Sequence, residues 1–133
     1  MKVRYLVIGA VAAVGLAGAA SAAETTLHAT LSGPGGGSGT ATVKVDEAKK
    51  QVCWDLSVKG LKDVTAAHIH KGAAGMNGPP VVPFTKPSDT GGKGCATAKD
   101  DVARDLVANP ANYYVNVHTK AEPAGAIRGQ LAK

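Results

Sequence analysis

The sequence predicts an all-β domain, an antiparallel sandwich or barrel, from three observations. Short segments alternating apolar and polar residues recur along the chain, and glycine-rich turns separate them. What remains after an apolar N-terminal stretch is about 110 residues, the size of one domain. Short strands punctuated by glycine in a chain of that size fit two packed antiparallel layers or a closed sheet.

The N-terminal stretch reads as an address. Lys2 and Arg4 give it a positive start, the apolar run extends from Tyr5 to about Ala20, and Ala20-Ser21-Ala22 offers small residues for cleavage. It is short for a membrane span of about 20 residues. No cysteine near the cut suggests a lipid anchor, and no twin arginine occurs. The expectation is a cleaved signal peptide over residues 1–22 and a single domain over 23–133, exported to the periplasm or beyond the cell, with no transmembrane segment in the mature protein.

The elements follow in order. Thr25 to Leu31 alternates weakly and ends in the turn Ser32-Gly33-Pro34-Gly35-Gly36-Gly37. Gly39 to Val45 sets Ala41, Val43 and Val45 against Thr40, Thr42 and Lys44. After the turn Asp46 to Lys50, the segment Gln51 to Val58 carries Val52, Trp54, Leu56 and Val58 on one side. That parity leaves Cys53 on the opposite face, where it would bridge a covering loop. Val64 to His70, Val81 to Phe84, Tyr113 to His118 and Ala126 to Leu131 complete the predicted strands. One short helix interrupts them in a long connection. Asp100 or Asp101 can cap it, Val102 and Leu106 share a face, and Asn109-Pro110 ends it. A core of Val, Leu, Ile and one Trp is thin for this length, which raises the value of any covalent or metal staple.

Charge excludes one class of partner. Removing Lys2 and Arg4 takes the 15 basic residues to about 13 against 10 acidic ones, and those charges are scattered. Nucleic-acid binding wants a basic stripe with interleaved aromatics, and none is present. Gly72 to Gly78 is glycine-rich but does not join a strand to a helix, so it is no phosphate cradle. Serine, histidine and aspartate occur, but no nucleophile motif frames them. Cys53 and Cys95 are the only 2 cysteines. In an oxidising compartment they are expected to pair, closing a loop of about 43 residues. The alternative, thiolate metal ligation, lacks any Cys-x-x-Cys and lies far in sequence from the histidines.

The histidines carry the chemistry. Of the 4 in the chain, His68 and His70 lie in Ala67-His68-Ile69-His70-Lys71-Gly72, and His118 ends the segment Tyr113 to His118. Successive strand side chains alternate faces, so His68 and His70 share one face. Three imidazoles meeting on neighbouring strands would suit a borderline or soft transition metal such as copper or zinc. The competing reading is that they only brace loop backbone. His28 on the first strand is an accessory candidate, though an exposed strand histidine is the stronger reading. Met76 is a soft thioether that would sit over a copper as a weak axial ligand, or fill surface space. Arg128 would attract an anion to the metal, or pair with a surface carboxylate.

Two resemblances follow from these residues. Leu31-Ser32-Gly33, Val52-Cys53-Trp54, His68-Ile69-His70-Lys71-Gly72-Ala73-Ala74-Gly75, Asn77-Gly78-Pro79 and Val81-Val82-Pro83 resemble the CHRD domain. So does the C-terminal run Tyr114-Val115-Asn116-Val117-His118-Thr119, Glu122-Pro123, Gly125, Ile127-Arg128-Gly129-Gln130-Leu131. That module is named for the animal protein chordin and occurs in many exported microbial proteins, with no catalytic reaction generally attributed to it. The first turn departs from it, with Gly33-Pro34-Gly35-Gly36-Gly37 where the family often carries a Glu-Val-Pro-Pro-like segment.

More distantly, Leu31-x-Gly33, Gly39, Gly60-Leu61, His68-x-His70 and Gly72 are similar to the first half of copper/zinc superoxide dismutase, and Val117-His118 to a later ligand strand. This resemblance implies an immunoglobulin-like, Greek-key β-sandwich and copper ligands at His68, His70 and His118. Arg128 falls near that family's substrate-guiding arginine. No histidine lies between His70 and His118, so the bridging ligand and the zinc loop have no counterpart, and no zinc site is expected. The function expected is an exported binding module that takes copper through three histidines and is not clearly catalytic. The alternatives are a copper-only dismutase-like enzyme and a structural envelope or adhesion module.

Overall fold

A computed structural model describes residues 23–99 and 101–133. The expected signal peptide, and Asp100 as a helix cap, lie outside the described residues. The strands are β1 (Thr25–Ser32), β2 (Ser38–Asp46), β3 (Gln51–Lys59), β4 (Val64–Lys71), β5 (Pro80–Phe84), β6 (Gly91–Thr97), β7 (Tyr113–Thr119) and β8 (Ile127–Gln130). A helix α1 (Val102–Ala108) and a 3-10 turn (Pro110–Asn112) lie between β6 and β7. No helix among the described residues is long and apolar enough to cross a membrane.

All strand pairings are antiparallel, and the eight strands form one sheet ordered β5-β4-β7-β8-β1-β2-β3-β6. The two edge strands β5 and β6 come into contact, so the sheet is nearly closed and barrel-like. Where β8 meets β1, the ladder is thin. It has the pair Ser32↔Arg128 within the strands and the isolated bridge His28↔Ala132.

Alternation turns the predicted residues inward. Leu27, Ala29 and Leu31 of β1, Ala41, Val43 and Val45 of β2, and Val52, Trp54, Leu56 and Val58 of β3 are all buried. Ala67 and Ile69 of β4 and Val115 and Val117 of β7 meet them from the other half. The Trp54 and Phe84 rings stack, 4.5 Å between centroids. Pro80 and Pro83 suit β5 because an edge strand tolerates a missing backbone donor.

Strand β6 is absent from the sequence reading, and its composition explains why. Gly91-Gly92-Lys93-Gly94 has no apolar alternation. Gly94 faces Trp54 in the register, and a Cβ there would fall 2.6 Å from the indole Cζ2. The indole supplies the burial that a β6 side chain would otherwise provide.

This strand also corrects the expected setting of the disulfide. Cys53 and Cys95 are bonded, but Cys95 is no loop residue: it lies directly opposite Cys53 on the neighbouring strand, with Cα atoms 4.0 Å apart. A bridge between directly opposed residues keeps both sulfurs on the same face of the sheet, so the outward parity of Cys53 raises no conflict.

The helix differs from expectation at its start. Asp101 is the N-cap but makes no side-chain cap bond, and its φ of 55° is left-handed. The helix is held instead from within, by Asp105. That carboxylate accepts hydrogen bonds from the Tyr113 hydroxyl and from Asn109 Nδ2 (2.9 Å), and lies 3.9 Å from Lys71 Nζ. These bonds, Tyr113 first, hold the Asp105 carboxyl below the ordinary carboxylate range. Burial and the adjacent carboxylate push the Tyr113 phenol up. Leu106 and Ala103 fill the core side of the helix, Val102 packs at its margin, and Asn109 caps the end before Pro110.

We expect the disulfide to matter for stability because it secures an edge strand that has little apolar surface of its own. Cys53→Ser/Cys95→Ser should lose up to about 4 kcal/mol, the chain-entropy figure for a loop of this size. Denaturant unfolding of reduced and oxidised protein checks this, and equal midpoints would refute it.

Candidate metal centre

The site is built by the pairing of β4 with β7. The register sets Ala66 opposite His118, His68 opposite Asn116 and His70 opposite Tyr114. Because Ala67, Ile69, Val115 and Val117 point into the core, all of these flanking residues face outward. His118 is thereby the diagonal neighbour of His68, a distance that long side chains span. A register shift between Ile69 and His70 on the β5 side brings Pro80 opposite His70. Such bulges re-aim the local side chains.

The three imidazoles converge. Ring centroids are 5.3 Å apart for His68 and His70, 5.1 Å for His68 and His118, and 5.7 Å for His70 and His118. One nitrogen from each lies within 4.8 Å of the others, and no second such cluster of histidine, cysteine or acidic residues occurs among the described residues. The first two rings stand at 89°, so they approach edge to face rather than stack.

Two backbone carbonyls decide which nitrogens are free. His70 Nδ1 donates to the Gly78 carbonyl and His118 Nδ1 to the Pro123 carbonyl, each at 2.9 Å. A neutral imidazole that donates through Nδ1 keeps its lone pair on Nε2, the arrangement metal-binding histidines commonly show. His70 Nε2, His118 Nε2 and His68 Nδ1 are buried and have no hydrogen-bond partner.

The loops that cover the site have to come close. A Cβ on Gly78 would fall 1.6 Å from the Lys71 carbonyl oxygen, so only glycine at this position lets the Gly78 carbonyl reach His70. Gly78 N in turn donates to the Tyr114 hydroxyl (3.2 Å). The Tyr114 ring stacks on His70 at 5.0 Å and 9°. Arg128 lies over the other side of Tyr114, its Cζ 3.6 Å from the ring centroid.

The electrostatics favour neutral imidazoles. Burial pushes the His68 pKa below 6.5, and the neighbouring His118 and His70 push it further. Burial lowers His70 as well, opposed by its bond to Gly78 and aided by His118 and Arg128. Resistance to protonation at His68 and His70 keeps their lone pairs available to a cation.

The remaining sequence candidates lie as follows. His28 is exposed on β1, opposite Thr42 and bridged to Ala132, outside the cluster. Met76 is 61% exposed at the loop tip, and what it contributes is its backbone carbonyl. Among the described residues, no carboxylate forms the expected surface ion pair with Arg128. Its Nη2 donates to that Met76 carbonyl (2.8 Å) and its Nη1 to Asn77 Oδ1 (2.9 Å). Cys53 and Cys95, bonded to each other, do not belong to the cluster.

Tyr114 and Asn116 are site residues that the sequence reading quoted without a role. Their spacing with His118, every second residue on one strand, was the available signal.

The family model of the CHRD domain matches residues 13–131, nearly the whole chain, and the chain belongs to that family. No curated protein and no solved structure matches it.

The depressed histidine pKa values have a definite sign. The unfolded chain takes up protons near 6.5, whereas His68 and His70 in the fold take them up only at lower pH. Their contribution to stability is therefore complete above 6.5 and is lost as pH falls through 6.5 to the folded values. We expect the metal-free protein to lose stability between neutral pH and about pH 5, a window set by the histidine range. Denaturant midpoints across that window check it, and the slope should flatten in His68→Gln/His70→Gln.

Proposed function

We propose that this CHRD-domain protein is an exported module that binds one copper ion through His68 Nδ1, His70 Nε2 and His118 Nε2. The observation that carries the reading is the convergence of three buried imidazole nitrogens without partners. The donor set is neutral, with no thiolate or carboxylate in the cluster. Three imidazoles suit copper(I), which accepts low coordination, and copper(II) stands at the top of the divalent affinity order. Bound copper would supply one-electron redox chemistry, and the protein's own part is to hold and shield the ion. The Gly78 and Pro123 carbonyls orient two of the ligands, and Tyr114 keeps the His70 ring in plane.

Export is part of the proposal. It rests on the N-terminal pattern over residues 1–22, and the Cys53–Cys95 bond is at home in an oxidising compartment. Exported material should begin at Ala23 or Glu24 by intact mass, and a retained leader would count against it.

A second reading, a copper-only enzyme similar to superoxide dismutase, draws support from the strand order. Taken around the nearly closed sheet, the order is β1-β2-β3-β6-β5-β4-β7-β8. There β3 lies beside β6 at the end of the consecutive run β4, β5, β6, an order that supports a Greek-key reading. Arg128 beside Tyr114 supplies positive charge near the cluster. Fast dismutation also needs a wider positive funnel, and the basic residues are scattered. We favour the binding module and expect little dismutation from copper-loaded protein.

Titration calorimetry tests the proposal. One copper per chain should bind at neutral pH, more tightly than zinc, and binding should weaken as the imidazoles protonate at lower pH. His70→Ala should lower affinity by orders of magnitude, while His28→Ala should change it little. Absent uptake, or uptake unchanged in the triple variant of His68, His70 and His118, would leave the histidines as loop braces.

A further inference from the structure

Among the described residues, four buried side-chain polar atoms lack a hydrogen-bond partner: the three free imidazole nitrogens and Asn116 Oδ1. The fourth belongs to a residue that neighbours two of the imidazoles in the β4/β7 ladder. Asn116 is only 5% exposed, stands opposite His68 across the β4/β7 ladder, and shares its strand face with Tyr114 and His118. On the other side its register partner is Arg128 of β8. A recess of about 230 Å³ opens there, and its lining includes Asn116, Asn77, Gly125 and Arg128. The Asn116 amide packs against Gly125, where a Cβ would fall 2.5 Å from Oδ1 and 2.8 Å from Nδ2.

Like the imidazole nitrogens, the amide oxygen is an acceptor. Native structures rarely leave a buried acceptor unanswered, because its lost hydration is not recovered. A metal ion answers the three nitrogens. An amide oxygen is a harder donor than imidazole and suits copper poorly as a ligand. A proton-bearing group on the metal answers it better.

We infer that Asn116 Oδ1 accepts a hydrogen bond from a protic oxygen ligand on the metal, water in the resting site, and so selects protic over aprotic ligands. The inference rests on the copper-binding reading above and adds a specificity-determining residue to it. A site arranged to hydrogen-bond one ligand discriminates against an analogue that lacks the proton.

Copper(II)-loaded protein titrated with azide tests it, since azide carries no proton at neutral pH. Azide-to-copper charge-transfer absorption reports affinity, and water proton relaxation reports bound water. Asn116→Leu keeps the volume and removes the acceptor, whereas Asn116→Asp keeps acceptors and removes the amide donor. The Leu variant should bind azide on the order of tenfold more tightly, as expected when one hydrogen bond to the competing water is lost. It should also lose most of the relaxation enhancement. The Asp variant should bind azide no more tightly than the unsubstituted protein.

Unchanged azide affinity and relaxation in the Leu variant would reduce Asn116 to a packing residue and overturn the inference, leaving copper binding intact. A collapse of copper affinity in that variant would make Oδ1 a ligand, and Asp behaving like Leu would make the amide nitrogen the active group. Either result overturns it. Should the Leu variant not fold, absence of relaxation enhancement in the unsubstituted protein is equally decisive. Failure of the unsubstituted protein to take up copper would instead sink the binding reading, and this inference with it.

Discussion

The register between β4 and β7 is the constraint on which the rest of the site depends. With Ala67 and Ile69 facing Val117 and Val115 in the core, His68, His70, Asn116 and His118 have no choice but the outer face. A slip of one residue would drive two imidazoles into an apolar interior and expose the aliphatic side chains. The burial of four small and branched residues therefore does more than stabilise the sheet. It sets the distance and direction of three potential ligands.

Two loops finish what the register begins. Imidazoles on the outer face of a sheet would ordinarily be solvated and free to rotate. Here the β4–β5 loop brings the Gly78 carbonyl to His70, and the β7–β8 loop brings the Pro123 carbonyl to His118. Each carbonyl fixes a ring and its tautomer, and the covering backbone removes water from the opposite nitrogens. Desolvation is unfavourable to the metal-free protein, since unpaired nitrogens are buried without compensation. That unfavourable contribution is what makes a cation the natural partner of the cluster.

Much of this was legible in the sequence, and the boundary of legibility is physical. Alternation located β1 to β4 and β7 almost to the residue, because core-facing aliphatic residues alternate with other types in each, even in β7 where both faces are covered. The same parity placed His68 and His70 together. It failed at β6, where Trp54 of β3 covers a strand built from glycine, so no apolar period is left to detect. It also could not show that Cys95 opposes Cys53 directly, since cross-strand register belongs to the pair of strands and not to either one. For the same reason Asn116 and Tyr114 had no visible role. Their meaning comes from His68 and His70 across the ladder, and from carbonyls supplied by loops that carry no side-chain signature. Asp101 takes the N-cap position that the sequence offers, but with a left-handed backbone and no side-chain cap bond, which no sequence pattern shows.

The two staples divide the sheet unequally. The disulfide ties β3 to β6, and a cation held by the histidines would tie β4 to β7. They lie in opposite halves of the strand order, and neither crosses the β1/β8 seam. That seam, with one register pair between its strands, relies on side chains beneath it: Leu27 and Leu31 from β1, Ile127 from β8, and Leu131 just beyond. A bound ion stabilises the native state by mass action, and that gain applies to any opening that breaks the β4/β7 pair. An opening confined to the seam leaves the ligands together and gains no such protection. Local opening at β1/β8 should therefore respond less to metal than opening of β4/β7, because cooperative units differ in the contacts they break. A bound cation would make the sheet firmest beside the histidines, while its thinnest ladder, β1/β8, lies where no proposed ligand depends on it.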